Sequence, residues 1–264
     1  MATFINDYLI KLEEQWTEVD ILIEQAKVSQ DSNLELYNVI CRSVSILVVA
    51  HMEGFIKGLA KNIVHDLNDN VTFEYLPKAV KKTYCKKYLG FDQAISKNYN
   101  GLLDEMCAEF SQYNDFKISY EPFLFDKNRN PKPDSIKSVL TRFGIADIFQ
   151  NLNKSYFDGC FESRRKTINY LNKIKKVTSL STLSFPYRAS NSKFKLNKSK
   201  YNGARTLWQA YLDDLNSMRH KIVHGNSFDN LVSIEQLVDD KNKAHLLQLV
   251  ITYCMCAAVV QSEV

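Results

Sequence analysis

The sequence predicts an all-α protein, and three observations carry that prediction. Glycine and proline are scarce, 8 and 5 in 264 residues, and strands joined by tight turns need both. Apolar residues recur at helical spacing from the first turn onward. Late in the chain WQAYLDDLNSMRHKIVHG combines one apolar stripe, one polar face and a closing glycine. With 45% hydrophobic and 24% charged residues the composition is that of a globular protein, which excludes disorder, collagen and a disulfide scaffold.

Taken in order, Phe4, Tyr8, Leu12, Trp16, Val19, Ile23 and Ala26 predict a first helix over 3–28. A second, long and mostly apolar helix starts at Asp31 or Ser32 and runs to 67, deep in a bundle. Gly54 and Gly58 give it a small-residue face for close approach by a neighbour. Residues 70–113 predict two shorter helices broken around Gly90 and Asp92, and 114–133 an irregular section with room for a short hairpin. Asp134 or Ser135 caps a helix through SVLTRF, and another spans 161–177. Residues 178–203, rich in Ser, Asn and Lys, predict a mobile basic loop. Ala204, Leu207, Trp208, Tyr211, Leu215, Met218 and Ile222 form the stripe of a helix over 204–224, with Gly225 at its left-handed cap position. A last helix spans 243–260. The organisation is one domain over 1–264, with a bundle core of 1–70 and 203–264 and a central insertion, 71–202, that carries the basic loop.

The net charge of +4 hides an uneven distribution. Residues 163–212 contain twelve cations and no Asp or Glu; removing those twelve from 34 basic residues leaves 22 against 30 acidic ones. Aromatic residues are interleaved with these cations: Tyr170, Phe185, Tyr187, Phe194, Tyr201 and Trp208, the last on the apolar stripe and therefore core. Cations that neutralise phosphates beside rings that stack on unpaired bases are the chemistry of single-stranded RNA recognition. The candidate RNA contacts are Arg188, Lys193, Lys195, Lys198, Lys200 and Lys221, with Tyr187 and Tyr201 as stacking rings. Because this segment leads into the 204–224 helix, it is expected to deliver phosphates to that helix. Asp7, Glu13 and Glu14 at the N-terminus contradict a secretory signal, so a cytoplasmic protein is expected. The apolar run 246–260 is short of the ~20 residues that span a bilayer, which predicts a buried core helix and no membrane partner. Six cysteines, at 41, 85, 107, 160, 254 and 256, lack paired metal spacing and read as reduced thiols.

Chemistry concentrates in RHKIVH, residues 219–224. His220 and His224 lie roughly 160° from the centre of the apolar stripe and share a polar face with Asp213, Asn216 and Ser217. Two imidazoles at i and i+4 would suit a metal, but the zincin pattern needs Glu after the first His and this chain has Lys221, so neither metal nor cofactor is expected. Arg219, four residues, then His224 followed by glycine resembles the RxxxxH signature of the HEPN superfamily, which sits at the end of a long helix in a helical bundle. The early helix with VVAHMEGFIKGL also resembles the MAE-type branch of HEPN nucleases. The resemblance covers about 1–70 and 200–264.

It implies a HEPN-like bundle of long antiparallel helices acting as a metal-independent endoribonuclease, in which the RNA 2′-hydroxyl attacks the adjacent phosphate. It further implies a homodimer whose two motifs form one composite site, a role as toxin or antiphage effector, and a cognate antitoxin or defence-system partner. The residue types fit: an imidazole such as that of His224 can take up and give a proton, and the planar fork of Arg219 holds phosphate oxygens as charge builds. His220 takes orientation or substrate binding. Glu53, on the early helix, is a carboxylate to orient Arg219 or else a partner of Lys57 at i+4. Some HEPN toxins carry Tyr two residues after the motif histidine, where this chain has Asn226. Arg219 and His224 stand about 140° apart on an ideal helix and converge only if the helix ends near His224. The rival readings are a HEPN-like module that binds RNA or a protein partner without cutting, a metal-dependent hydrolase built on His220 and His224, and a purely structural helical protein.

Overall fold

The computed structural model describes residues 2–90, 98–124, 131–194, 196, 204–225 and 232–260. Among them the architecture is all-α, with short 3-10 turns and no strand. Helix α1 (Phe4–Ser29) is capped by Thr3 and turns through 30–33 into α2 (Leu34–Asn70), capped by Asn33. The two run antiparallel: Phe4 meets His65, Tyr8 meets Phe55 and Trp16 meets His51 in turn. Gly58 permits this, because a Cβ there would fall 2.4 Å from the Tyr8 hydroxyl; Gly54 faces open space instead.

The middle of the chain holds α3 (Lys78–Leu89), α4 (Tyr99–Phe110), α5 (Pro133–Thr141), α6 (Ile148–Leu152) and α7 (Arg164–Ser181). No hairpin forms among the described residues of 114–133. Asn68 pins Ile118 through both its amide nitrogen and its oxygen, and Arg142 donates to the Pro122 and Leu124 carbonyls, so side chains do the work of a strand ladder. Helix α7 starts later and ends later than the spacing predicts, with Ser163 as its cap. Its last turn buries Thr178, and Thr182 follows it into the core. The described part of the expected mobile loop is therefore packed structure: Tyr187, Ala189 and Phe194 are buried, and the Ser190 N–H donates to the Tyr253 hydroxyl.

Helices α8 (Leu207–Val223) and α9 (Ile234–Val260) complete the bundle, with α9 against α1, α2 and α7, and α8 against α2. Helix α9 begins nine residues before the predicted start at 243, with the Ser233 hydroxyl accepting from Gln236 N. Its polar first half hid it: Lys241 is buried against Asp20 at 2.7 Å, and Lys243 reaches Asp239 at 2.5 Å. Both α2 and α9 are long and apolar enough to cross a membrane, but 83% of the most apolar window of α9 is buried inside the protein. Two buried polar side chains of α9, Gln248 and His245, face residues of α1 and α2 rather than solvent. Trp16 Nε1 donates to Gln248 Oε1 at 2.7 Å, and Gln248 Nε2 to the His51 carbonyl at 3.2 Å. His245 stands 3.1 Å from Glu13, which also holds Lys175 at 2.6 Å.

One carboxylate ties three distant segments together. Asp66, near the end of α2, accepts from Phe4 N at 2.8 Å, Ile5 N at 3.0 Å and the Tyr187 hydroxyl at 2.6 Å. Burial pushes the Asp66 carboxyl up, and these three donors offset much of that push. Beside it Thr3 donates to the Thr182 carbonyl at 2.6 Å. Asp66→Ala should cost about 3 kcal/mol, because it orphans three buried donors at once. Tyr187→Phe, which removes one donor and leaves the helix cap, should cost about 1 kcal/mol. Urea unfolding of the two variants checks the order; equal and negligible losses would contradict it.

Candidate functional site

RHKIVH occupies the last turn of α8. The helix starts with a reciprocal cap in which Thr206 accepts from Gln209 N and Gln209 accepts from Thr206 N, a TLWQ signature that the apolar spacing alone had placed within the helix. It ends at Val223. His224 is the C-cap at φ −88° and ψ 10°, and Gly225 takes the left-handed conformation at φ +67°. Gly225 N donates to the Ile222 carbonyl at 3.2 Å and His224 N to the His220 carbonyl at 3.1 Å, closing the turn. The helix therefore ends at the last residue of RHKIVH, its C-cap.

Arg219 is half-buried, whereas His220, Lys221 and His224 are exposed. The imidazoles of His220 and His224 pack on one another, 4.1 Å between centroids at 42°. One turn earlier Asn216 donates to the Leu212 carbonyl at 2.7 Å and to the Pro131 carbonyl at 3.4 Å, which anchors the segment leading into α5 beside the motif. Asn216 was legible as a polar-face residue; its anchoring contact was not, because Pro131 lies far away in sequence. Among the described residues no group of three or more His, Cys, Asp or Glu could hold a metal ion, so the His220 and His224 pair has no third protein ligand there.

Glu53 is half-buried on α2, the helix against which α8 packs.

The basic segment needs a larger correction. Tyr187 is 3% exposed with its hydroxyl on Asp66, so it serves the core and presents no face to a base. Phe194 is buried between Phe157 and Tyr253. Among the described residues, Lys166 pairs with Glu162, Lys175 with Glu13 and Arg205 with Asp213, and Lys173 lies over the Tyr156 ring at 4.5 Å. Arg188 and Lys193 are exposed. Lys195, Lys198, Lys200, Tyr201 and Asn226 lie outside the described residues. The segment also joins α8 at its N-terminal end, whereas Arg219 lies twelve residues further on, about 18 Å along the axis.

A family model described as RiboL-PSP-HEPN matches residues 12–255. The chain belongs to this HEPN family. No curated protein and no solved structure matches it. HEPN domains are often ribonucleases, and the match takes in α8 and its closing turn as well as the central insertion.

Gly225 carries the geometry of the end of α8. A Cβ there meets nothing within 4 Å, so the cost of substitution is purely that of a side chain at φ +67°. Gly225→Ala should lose about 1 kcal/mol, and Gly225→Asn distinctly less, since Asn tolerates the left-handed region. Thermal unfolding of the two variants measures the difference; equal stability of both with wild type would show that the turn is not held left-handed.

Proposed function

We propose that this HEPN protein is a metal-independent endoribonuclease whose RxxxxH site is RHKIVH, completed by a second copy of the chain. The observation that carries the reading is the placement of Arg219, His220 and His224 on the closing turn of α8 in a HEPN bundle, with both imidazoles open to solvent. In the reaction the RNA 2′-oxygen forms a bond to phosphorus as the bond to the 5′-oxygen breaks. The 2′-hydroxyl proton leaves and the departing 5′-oxygen gains one, which leaves a 2′,3′-cyclic phosphate. His224 moves a proton at one of these oxygens and Arg219 neutralises the charge that grows on the phosphate. His220 and Lys221 lie beside them to bind or orient the strand, and Arg188 and Lys193 are exposed cations for its flanking phosphates. VVAHMEGFIKGL on α2 keeps its likeness to the MAE-type branch in this reading, and the biological role proposed is that of a toxin or antiphage effector acting in the cytoplasm with a cognate partner.

Homodimerisation is supported by the uncovered face of α2. Leu36 and Val39 are exposed, Ile46 and Leu47 half-covered, and Ala50 and Gly54 open, on the helix that packs against α8. An apolar and small-residue stripe of this length suits close helix contact with a second copy, which would bring two closing turns to one cleft.

Purified protein should cleave bulk RNA in excess EDTA and leave 2′,3′-cyclic phosphate ends. Arg219→Ala and His224→Ala should each lower the rate by at least ~10²-fold without loss of helicity. RNA binding without cleavage would support the non-catalytic module instead, and activity lost in EDTA and restored by metal would support the His220 and His224 hydrolase. Because Gly54 faces open space, Gly54→Arg should leave the monomer folded while sedimentation shows loss of the dimer and cleavage falls with it. A variant that stays dimeric would remove the α2 face from the interface.

A further inference from the structure

Two cysteines outside the motif stand closer together than packing alone requires. Cys85 on α3 and Cys107 on α4 have their Sγ atoms 3.4 Å apart, in hydrogen-bond contact. A disulfide needs about 2.05 Å, so the two sulfurs stand a little over 1 Å from bonding distance. One turn earlier on both helices Lys82 meets Asp104 at 2.8 Å, which holds α3 and α4 in this register.

The two thiols differ in access. Cys85 is fully buried, whereas Cys107 is half-buried and lines a surface cleft of about 330 Å³ together with Lys78, Lys81, Lys82 and Asp104. The hydrogen-bond contact with Cys85 brings the Cys107 thiol down to about 7 against the upward push of burial, with Lys81 and Lys82 adding to the drop and Asp104 opposing it. The same hydrogen bond and burial push the Cys85 thiol up. One sulfur is thus open and held toward the nucleophilic thiolate, with the other sheltered directly behind it. Cys41, Cys160, Cys254 and Cys256 are all buried, and burial pushes up the thiols of the last three.

We propose that Cys85 and Cys107 form a peroxide-oxidised dithiol, with Cys107 as the attacking thiolate and Cys85 as the resolving thiol. The Cys107 sulfur forms an S–O bond as the O–O bond of a hydroperoxide breaks; the departing hydroxide or alkoxide takes a proton, and Cys107 becomes a sulfenic acid. Cys85 sulfur then attacks Cys107 sulfur, an S–S bond forms, the S–O bond breaks, and hydroxide leaves as water with the Cys85 proton. Two thiols give up two electrons and one peroxide accepts them. The product staples α3 to α4, and a thiol reductant reverses it. This assignment is independent of the nuclease reading, because neither cysteine lies on α8 or on the exposed face of α2.

The reduced full-length protein, treated with a small excess of hydrogen peroxide, unfolded in an alkylating agent and mapped by mass spectrometry, should lose two of its six thiols. The missing pair should appear as one Cys85–Cys107 linked peptide that dithiothreitol separates. Cys85→Ser should leave Cys107 as a sulfenic acid trapped by dimedone, and Cys107→Ser should lose no thiol under the same treatment. If Cys85→Ser does not fold, dimedone added to wild type during oxidation traps Cys107 in competition with the cross-link. Retention of all six thiols, a cross-link between other cysteines, or dimedone on a cysteine other than Cys107 would each overturn the assignment.

Discussion

The buried carboxylate of Asp66 is the constraint on which the arrangement of the helices depends. It sits on α2, accepts the first free N–H groups of α1, and takes the Tyr187 hydroxyl from the chain that follows α7. A helix start leaves unpaired N–H donors, and a carboxylate placed against them satisfies hydrogen bonds and the helix dipole together. Partners 61, 62 and 121 residues away in sequence are therefore brought to one carboxylate. The contacts of Thr3 with Thr182 and of Asn6 with Thr182 extend the same junction. What folds around it is the α1 and α2 pair, over which α7 and α9 then close.

The same logic recurs along α9. A helix this buried would be expected to carry only apolar side chains, yet Lys241, His245, Gln248 and Thr252 lie within it. Each answers a particular group: Asp20, Glu13, the Trp16 indole and the Gln248 carbonyl. Buried polar groups are costly unless they are paired, so the contacts of Lys241 with Asp20 and of Gln248 with Trp16 fix the register of α9 against α1 more sharply than packing alone would. Helix α8 has fewer such ties on its outward side. Its closing turn is held by its own backbone and by Asn216, which leaves the imidazoles of His220 and His224 facing solvent.

Much of this was legible in the sequence because it is written locally. The apolar stripe of α1, the end of α8 at Gly225 and the polar setting of RHKIVH follow from a period of 3.6 residues and from the conformational freedom of glycine. The start of α9 was not legible, since its first turns read as polar and their partners, Asp20 and Glu13, belong to α1. Tyr187 was misread for a related reason. Surrounded by lysines and serines, it looks like an exposed ring, and only the acceptor on α2 explains its burial.

By itself the sequence determined that the protein is helical, where its strongest helix stops, and which residues stand at that stop, because caps, stripes and turns depend on neighbours within a few positions. The tertiary structure decided which polar side chains are core and which are surface, and that Cys85 and Cys107, twenty-two residues apart, touch. Such outcomes depend on pairs formed across the bundle, and a hydrogen bond between distant residues leaves no periodic trace in either of the segments that make it.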